Sequence, residues 1–364
     1  MIKPVSGECD FRCRYCFYRE AIKSRAARAA GAMSPELIGA IIERAMERAE
    51  GAVTFIFQGG EPMLAGLEFY RHVVRAQKAF NKRGLHVFNA IQTNGALING
   101  EWARFFRDEG FLTGVSLDGY ERLHDINRCD ASGQPTFQRV MAGIEALKTS
   151  GAAFNILTVV TAQSAHNAEK IYRFFKRNGL LYQQYIPCLD PMGKRGREAY
   201  SLTPENYAAF FTELLDLWFS DIISGEFIYI RHFENMLGAL RGHPPEHCGM
   251  SGRCAMQYVI EADGTVYPCD FYTRDGYELG SLAEEGFDGI EARLAASGFI
   301  ASSAAISPEC AECEYYFICR GGCRRDRDAG GGTLELNYYC AAYKAFYRHA
   351  IPKLADITGR RGRT

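Results

Sequence analysis

Long apolar runs are missing from this sequence. None reaches the roughly 18 residues that a membrane-spanning helix needs, so no membrane partner is expected. The opening residues Met1-Ile2-Lys3-Pro4 hold no apolar h-region, so no secretory signal is read there. An excess of either charge is also lacking: 42 basic residues stand against 43 acidic ones, a formal net charge of −1. Basic residues are nowhere dense enough to argue for nucleic acid. Arg25 and Arg28 read as a solvated loop, and Arg360, Arg361 and Arg363 as a frayed tail. No repeat of solenoid type is seen. These absences leave a cytoplasmic chain of ordinary globular composition, 47% hydrophobic and 23% charged.

Cysteine is abundant, with thirteen residues. Without export, disulfides are not expected, and clustered cysteines read as metal ligands. Cys9, Cys13 and Cys16 form C-x3-C-x2-C. Three thiolates in one short loop can hold three corners of an iron–sulfur cube and leave the fourth iron open to a ligand. Zinc with a distant fourth ligand is the alternative, although zinc sites usually pair C-x2-C with a second pair. Eight more cysteines lie in the last third: Cys248, Cys254, Cys269, Cys310, Cys313, Cys319, Cys323 and Cys340. Eight divides into two zinc sites or two cubane clusters, each with four thiolates. Exposed clusters are oxygen-labile, so an anaerobic host is expected. Cys129 and Cys188 are left over and read as small buried hydrophobes.

A length of 364 residues suits about two domains. Strand candidates at 2–6, 54–57, 85–91, 114–117, 155–160 and 182–186 alternate with helical patterns at 35–49, 69–80, 102–108, 137–148 and 167–177. Ser34 reads as an N-cap, with Pro35 at the first helical position. Such alternation predicts parallel strands with helical crossovers, about six βα units. Chemistry in such barrels sits at the C-terminal ends of the strands. Residues 191–200, glycine-rich and charged, read as a boundary. Helices follow from Thr203-Pro204-Glu205 to about 223 and at 231–240. Beyond His247 helical periodicity weakens until 338–354. The expected division is 1–190, 191–247, 248–345 and a helix end and tail at 346–364.

The strand ends carry the chemistry-bearing motifs. Gln58-Gly59-Gly60-Glu61-Pro62 follows the second strand. Its glycines allow close backbone approach, and its carboxylate and carbonyls can receive an ammonium group. A plain strand-to-helix turn uses the same residues. Thr93-Asn94-Gly95 and Ser116-Leu117-Asp118-Gly119 end the next two strands and also suit turn chemistry. Asp270 sits beside Cys269. A buried carboxylate near a negatively charged cluster would have its pKa raised, and it could accept a proton near neutral pH. An Asp that braces its own loop is the plainer reading.

The triplet followed by Phe17-Tyr18, with Gly59-Gly60-Glu61-Pro62 some forty residues on, resembles the radical S-adenosylmethionine (radical SAM) superfamily. That resemblance implies an α/β fold with a partial (β/α)6 TIM-like barrel. The spacing C-x2-C-x5-C-x3-C with a final lone cysteine resembles the cysteine-rich C-terminal SPASM domain. The stretches CxYCFY, SLDG, DGxVYPCDFY, C-x-GGCRR and ELNYYC narrow the resemblance to the anaerobic sulfatase-maturating enzymes, across nearly the whole chain. The resemblance implies three [4Fe-4S] clusters. One would be held by Cys9, Cys13 and Cys16. A second would be held by Cys248, Cys254, Cys269 and Cys323, and a third by Cys310, Cys313, Cys319 and Cys340. It implies SAM bound by Tyr15 (through its backbone), Gly59, Gly60, Glu61, Asn94, Ser116, Arg128 and Leu189. It implies Tyr18 and Gln58 as client contacts and Asp270 as the base. The implied activity is oxidation of a Cys or Ser of a client sulfatase to Cα-formylglycine, begun when a 5′-deoxyadenosyl radical takes a Cβ hydrogen. An electron donor such as ferredoxin or flavodoxin is implied as a second partner.

Two rival readings stand beside this one. Another SPASM peptide maturase would form thioether or carbon–carbon crosslinks. Many of those carry an N-terminal leader-peptide domain, and only eight residues precede Cys9, which favours a short-motif client. A non-enzymatic iron–sulfur electron carrier would explain eight cysteines but neither the N-terminal triplet nor the Gly-Gly-Glu-Pro turn. A zinc scaffold is a third reading.

Overall fold

The computed structural model describes residues 1–23, 25, 31–330 and 334–361. Arg28 and Arg363 lie outside the described residues, as do the side chains of Arg360 and Arg361. Six strands run in chain order through one sheet: β1 (Ala52–Phe57), β2 (His86–Thr93), β3 (Phe111–Ser116), β4 (Phe154–Val160), β5 (Tyr182–Pro187) and β6 (Tyr229–Ile230). β1 pairs with β2, β2 with β3, β4 with β5 and β5 with β6, all parallel. Short helix α1 (Phe17–Lys23) precedes the strands. Between and after them come α2 (Pro35–Arg48), α3 (Leu67–Phe80), α4 (Gly100–Asp108), α5 (Glu121–Asn127), α6 (Phe137–Ser150), α7 (Ala168–Arg177), α8 (Pro204–Ile223) and α9 (Arg231–Leu240). Parallel neighbours need such crossovers, which is why strand and helix patterns alternate.

Local chemistry sets the helix ends. Ser34 Oγ accepts from Leu37 N with Pro35 at the first turn, so α2 starts where the sequence predicts. Asn99 caps α4 by accepting from Glu101 N and Trp102 N. Gly151, at φ 76°, closes α6 in the left-handed conformation.

The chain divides into two compact units. The first comprises Met1–Ser116, Asp125–Asn155 and Met256–Gly298. Its core holds an aromatic cluster in which Phe57 meets Tyr70 at 5.2 Å, Tyr70 meets Trp102 at 5.5 Å and Phe106 meets Phe111 at 5.6 Å, within the range of favourable edge and offset contacts. The second unit comprises Leu117–His124, Ile156–Ala255 and Phe299–Thr364. There α8 buries Phe210, Phe211, Leu214, Leu215 and Trp218, and it packs against the C-terminal helix Cys340–Arg361.

Three expectations need correction. Residues 2–6 do not form the first strand. Ile2 makes isolated bridges to Phe57 and Ile260, and the chain then turns at Pro4, which lacks an N–H for a ladder. The sixth strand is instead β6, a two-residue segment. Within the stretch where helical periodicity weakens, Leu282–Ser297 forms a helix, α10, broken at Gly286 where φ is 70°. Arg25 is not solvated: it is buried, donating to Glu261 Oε1 at 2.8 Å and to the Thr273 carbonyl at 2.7 Å.

Candidate active site

Cys9, Cys13 and Cys16 lie in the loop that leads into α1, each partly buried and none in a disulfide. Protein contacts hold that loop. Arg12 N donates to the Cys129 carbonyl at 2.7 Å and Arg14 N to the Asn127 carbonyl at 2.9 Å. Phe11 N donates to Cys9 Sγ at 3.3 Å. Burial, with Glu61, Cys13 and Asp10 adding like charge, pushes the Cys9 thiol far up. Without a metal that thiol stays protonated, and its ligation of iron would supply the cation a thiolate needs there.

The glycines after β1 are required by what passes over them. A Cβ on Gly60 would stand 2.1 Å from the Glu8 carbonyl oxygen, and Gly60 takes φ 56°. The close approach lets Glu61 N donate to that same carbonyl at 2.7 Å. A Cβ on Gly59 would stand 2.7 Å from Lys3 Cγ. The turn after β1 is therefore fastened to the cysteine loop.

Glu61 has no exposed surface. Its Oε1 accepts from Met63 N at 3.0 Å and Thr93 Oγ1 at 2.8 Å, and its Oε2 accepts from Asn94 N at 2.7 Å. Burial pushes its carboxyl up to about 7 against the pull of these donors. Three protein donors share this carboxylate, fewer than the roughly four that its two oxygens can accept. Its evident work is to tie the end of β2 to the end of β1. Asn94 Nδ2 donates to Asp10 Oδ1 at 2.7 Å, linking that strand end to the cysteine loop. Ser116 Oγ accepts from Gln92 Nε2 at 3.2 Å. Arg128 lies 5.4 Å over the ring of the buried Tyr15. Leu189 is half-buried in the second unit.

Asp270 begins a short turn after the hairpin of β7 (Val259–Ile260) and β8 (Val266–Tyr267) and is 5% exposed. Its Oδ2 accepts from Tyr18 Oη at 2.5 Å and from Gln58 Nε2 at 3.1 Å. Gln58 Nε2 also lies 2.9 Å from Tyr18 Oη. Lys3 Nζ stands 3.0 Å from Oδ1. Burial, and then the Asp270 charge, push the Tyr18 phenol well above its ordinary value, so Tyr18 stays protonated and donates. Thus the base and both client contacts expected from the sequence meet at one carboxylate.

Lys3, Glu261 and Arg25 were not expected at this corner, nor Asp10 at the cysteine loop. Lys3 is 1% exposed and also pairs with Glu261 at 3.4 Å. Burial pushes Glu261 up, but Lys3 and Arg25 outweigh it and hold the carboxyl below its ordinary value. A lone lysine between Ile2 and Pro4-Val5 is the one sequence signal that pointed to Lys3.

Cys310, Cys313, Cys319 and Cys340 line a single cavity of about 300 Å³, open mouth included, with Tyr343 and Tyr347 beside them. Burial pushes the Cys319 thiol up to about 11, and the other three thiols add to it. In the same unit Cys248 and Cys254 are close enough to interact, and Cys323 lies against Gly249. Cys269 belongs to the first unit. Among the described residues, no three His, Cys, Asp or Glu side chains converge tightly enough to hold one metal ion. Thiolates around one zinc stand about 3.8 Å apart, given Zn–S bonds of about 2.3 Å. Thiolates on separate corners of a cube stand farther apart, and all-cysteine donor sets of this kind suit an iron–sulfur cluster or zinc alike. Cys188 is buried as expected and Cys129 only half-buried, and the two bond the carbonyls of Tyr200 and Arg12.

The radical SAM superfamily model matches residues 4–175, and SPASM, an iron–sulfur cluster-binding domain, matches residues 248–314. The cysteine-type anaerobic sulfatase-maturating enzyme of Clostridium novyi (strain NT) is 42% identical over 360 residues, covering 98% of this chain and 96% of that protein. The cysteine-type enzyme of Clostridium perfringens (strain 13 / Type A) is 40% identical over 359 residues, covering 98% and 97%. The serine-type enzyme of Bacteroides thetaiotaomicron is 31% identical over 371 residues, covering 97% and 89%. The solved structure of native anSMEcpe with bound AdoMet and Cp18Cys peptide superposes with a TM-score of 0.95 at 38% identity, covering 99% of this chain and 98% of that one. With the N-terminal cysteine loop, the Gly-Gly-Glu-Pro turn and the C-terminal thiol cavity all present, the chain belongs to the anaerobic sulfatase-maturating enzymes of the radical SAM superfamily.

Proposed function

We propose that this enzyme oxidises a cysteine of a client sulfatase to Cα-formylglycine, in an anaerobic cytoplasm, with ferredoxin or flavodoxin as electron donor. Cysteine is favoured over serine because the cysteine-type relatives share 42% and 40% of their residues with this chain and the serine-type relative 31%. The site reading divides the chain at 1–190, 191–247, 248–345 and 346–364. In this reading Cys9, Cys13 and Cys16 hold the cluster that binds SAM. Cys248, Cys254, Cys269 and Cys323 hold one auxiliary cluster, and Cys310, Cys313, Cys319 and Cys340 the other. Tyr15, Gly59, Gly60, Glu61, Asn94, Ser116, Arg128 and Leu189 line the SAM site.

When bound, the N-terminal cluster and SAM supply an adenosyl radical able to take one hydrogen atom from the client Cβ, and the auxiliary clusters supply an acceptor for the last electron. What the chain's own residues add is proton transfer and orientation. Converting a thiol to a thioaldehyde removes one hydrogen atom, one proton and one electron; water then replaces sulfur with oxygen and releases hydrogen sulfide. Asp270 takes the proton from the client thiol. Tyr18 and Gln58 donate to the Asp270 carboxylate in the resting site and turn those donors toward the client when it binds. The burial of this corner excludes water that would otherwise compete for the base.

The observation that carries this reading is a nearly fully buried carboxylate, Asp270, joined to Tyr18, Gln58 and Lys3 beside a cysteine of the SPASM set. The test is mass spectrometry of a Cys-containing sulfatase-motif peptide after anaerobic incubation with the iron-loaded enzyme, SAM and reductant. The peptide should lose about 18 Da, as sulfur gives way to oxygen and two hydrogens leave. An unchanged mass alongside normal 5′-deoxyadenosine formation would overturn the choice of client.

A further inference from the structure

One feature of the Asp270 corner is not explained by Asp270, Tyr18 and Gln58 alone. Lys3 reaches it from the N-terminal segment, and its stem lies where a Cβ on Gly59 would be. Its ammonium is 3.0 Å from Asp270 Oδ1, 3.4 Å from Glu261 Oε1 and 4.2 Å from the centre of the Tyr18 ring. Arg25 secures Glu261 from the other side at 2.8 Å. Two cations and two carboxylates thus form a balanced buried set of four. The backbone of Lys3 is fixed as well, because Lys3 N donates to the Ile260 carbonyl at 2.8 Å.

The two oxygens of Asp270 are therefore inequivalent. Oδ1 faces a full positive charge that is itself held by Glu261. Among the described residues Oδ2 faces Tyr18 and Gln58, two neutral donors that can turn away from it. Buried charges are paired when retained, and a pair locked by a third and fourth charge has one geometry.

We infer that Lys3 is a positioning residue that clamps Oδ1 of Asp270 and so commits Oδ2, on the side of Tyr18 and Gln58, to accept the client's proton. The inference rests on Asp270 being the proton acceptor. Glu261 and Arg25 serve it indirectly by fixing Lys3. Gly59 serves it by leaving room for the lysine stem.

The experiment compares iron-loaded wild type, Lys3→Met and Asp270→Asn, each first checked for iron content and visible absorbance. A Cys-containing sulfatase-motif peptide is the substrate, and the readout is aldehyde formed per 5′-deoxyadenosine formed. A loosened carboxylate should uncouple the two products. For Lys3→Met, aldehyde per 5′-deoxyadenosine should fall roughly tenfold or more, while the peptide KM stays within about threefold. A purely structural role for Lys3 would lower thermal stability and leave that ratio alone. An unchanged ratio in Lys3→Met together with a collapsed ratio in Asp270→Asn overturns the role of Lys3 and spares that of Asp270. An unchanged ratio in Asp270→Asn removes the base assignment itself, and the clamp with it. Removing one member of a buried set can prevent folding. In that event Lys3→Met combined with Glu261→Gln removes one charge of each sign and keeps the set balanced. The double variant should still be uncoupled, and normal coupling in it would overturn the proposal.

Discussion

Two buried carboxylates in the first unit, Glu61 and Asp270, teach more together than apart. Both are almost wholly shielded from water. Glu61 is surrounded by neutral donors from its own and the neighbouring strand end, and burial pushes it up to about 7. Asp270 has a lysine at one oxygen and two neutral, movable donors at the other. The same functional group thus does two jobs. Where two backbone N–H groups and a threonine hydroxyl hold it, a carboxylate ties two strand ends together. Where a cation holds one oxygen and movable side chains cover the other, it suits the proton transfer proposed for Asp270.

The widest break of that comparison is to remove the chemistry both corners serve. Replacing Cys9, Cys13 and Cys16 together by Ala should abolish 5′-deoxyadenosine formation and lower iron from about twelve to about eight per chain, as one cubane of three is lost. Iron assay and product chromatography read this directly. Next comes Asp270→Asn, which should lower aldehyde formation by roughly 10²–10⁴-fold while cofactor cleavage persists. A comparable fall in both products would make Asp270 a structural residue like Glu61 and erase the contrast. Glu61→Gln tests the other side. The Gln amide must set an N–H₂ against either Asn94 N or the donors from Met63 and Thr93, costing about 1–3 kcal/mol in a thermal or denaturant melt.

The pH dependence of that last variant sharpens the point. A carboxyl raised from 4.5 to about 7 by burial contributes stability that is present below about pH 4.5 and is lost as pH rises through about 7. Gln does not titrate, so the stability gap between wild type and Glu61→Gln should narrow from pH 5.5 to pH 8. A widening gap would mean that the donors outweigh burial. The smallest effect is expected far from both corners. Arg48→Ala loses exposed pairs with Asp288 and Glu291 and should cost no more than about 0.5 kcal/mol.

Much of this was legible in the sequence because the governing interactions are local. The caps of α2, the strands β1 to β5 and the turn at Gly59-Gly60 follow from residues within a few positions of each other. The lost pieces depend on distance along the chain. Lys3 meets Glu261 and Asp270 across more than 250 residues, and no periodicity marks such a pair. Arg25 looked solvated because the residues beside it in sequence are small and basic, yet Glu261 waits for it 236 residues on. The two-residue strand β6 is too short to show alternation. Helix α10 hid because Gly286 and Gly289 interrupt its pattern and only Leu282, Ile290 and Leu294 are buried. The motif-level resemblance supplied the ligand sets, which spacing alone left open between zinc and iron.

The two peptide N–H groups of Arg12 and Arg14, bonded to the carbonyls of Cys129 and Asn127, carry a consequence for how the enzyme is made. The sulfur-bearing segment has polypeptide scaffolding of its own, unlike a zinc finger, which takes shape only around its ion. A chelator should strip the colour from this protein well before it melts the first unit, and reloading should proceed without refolding.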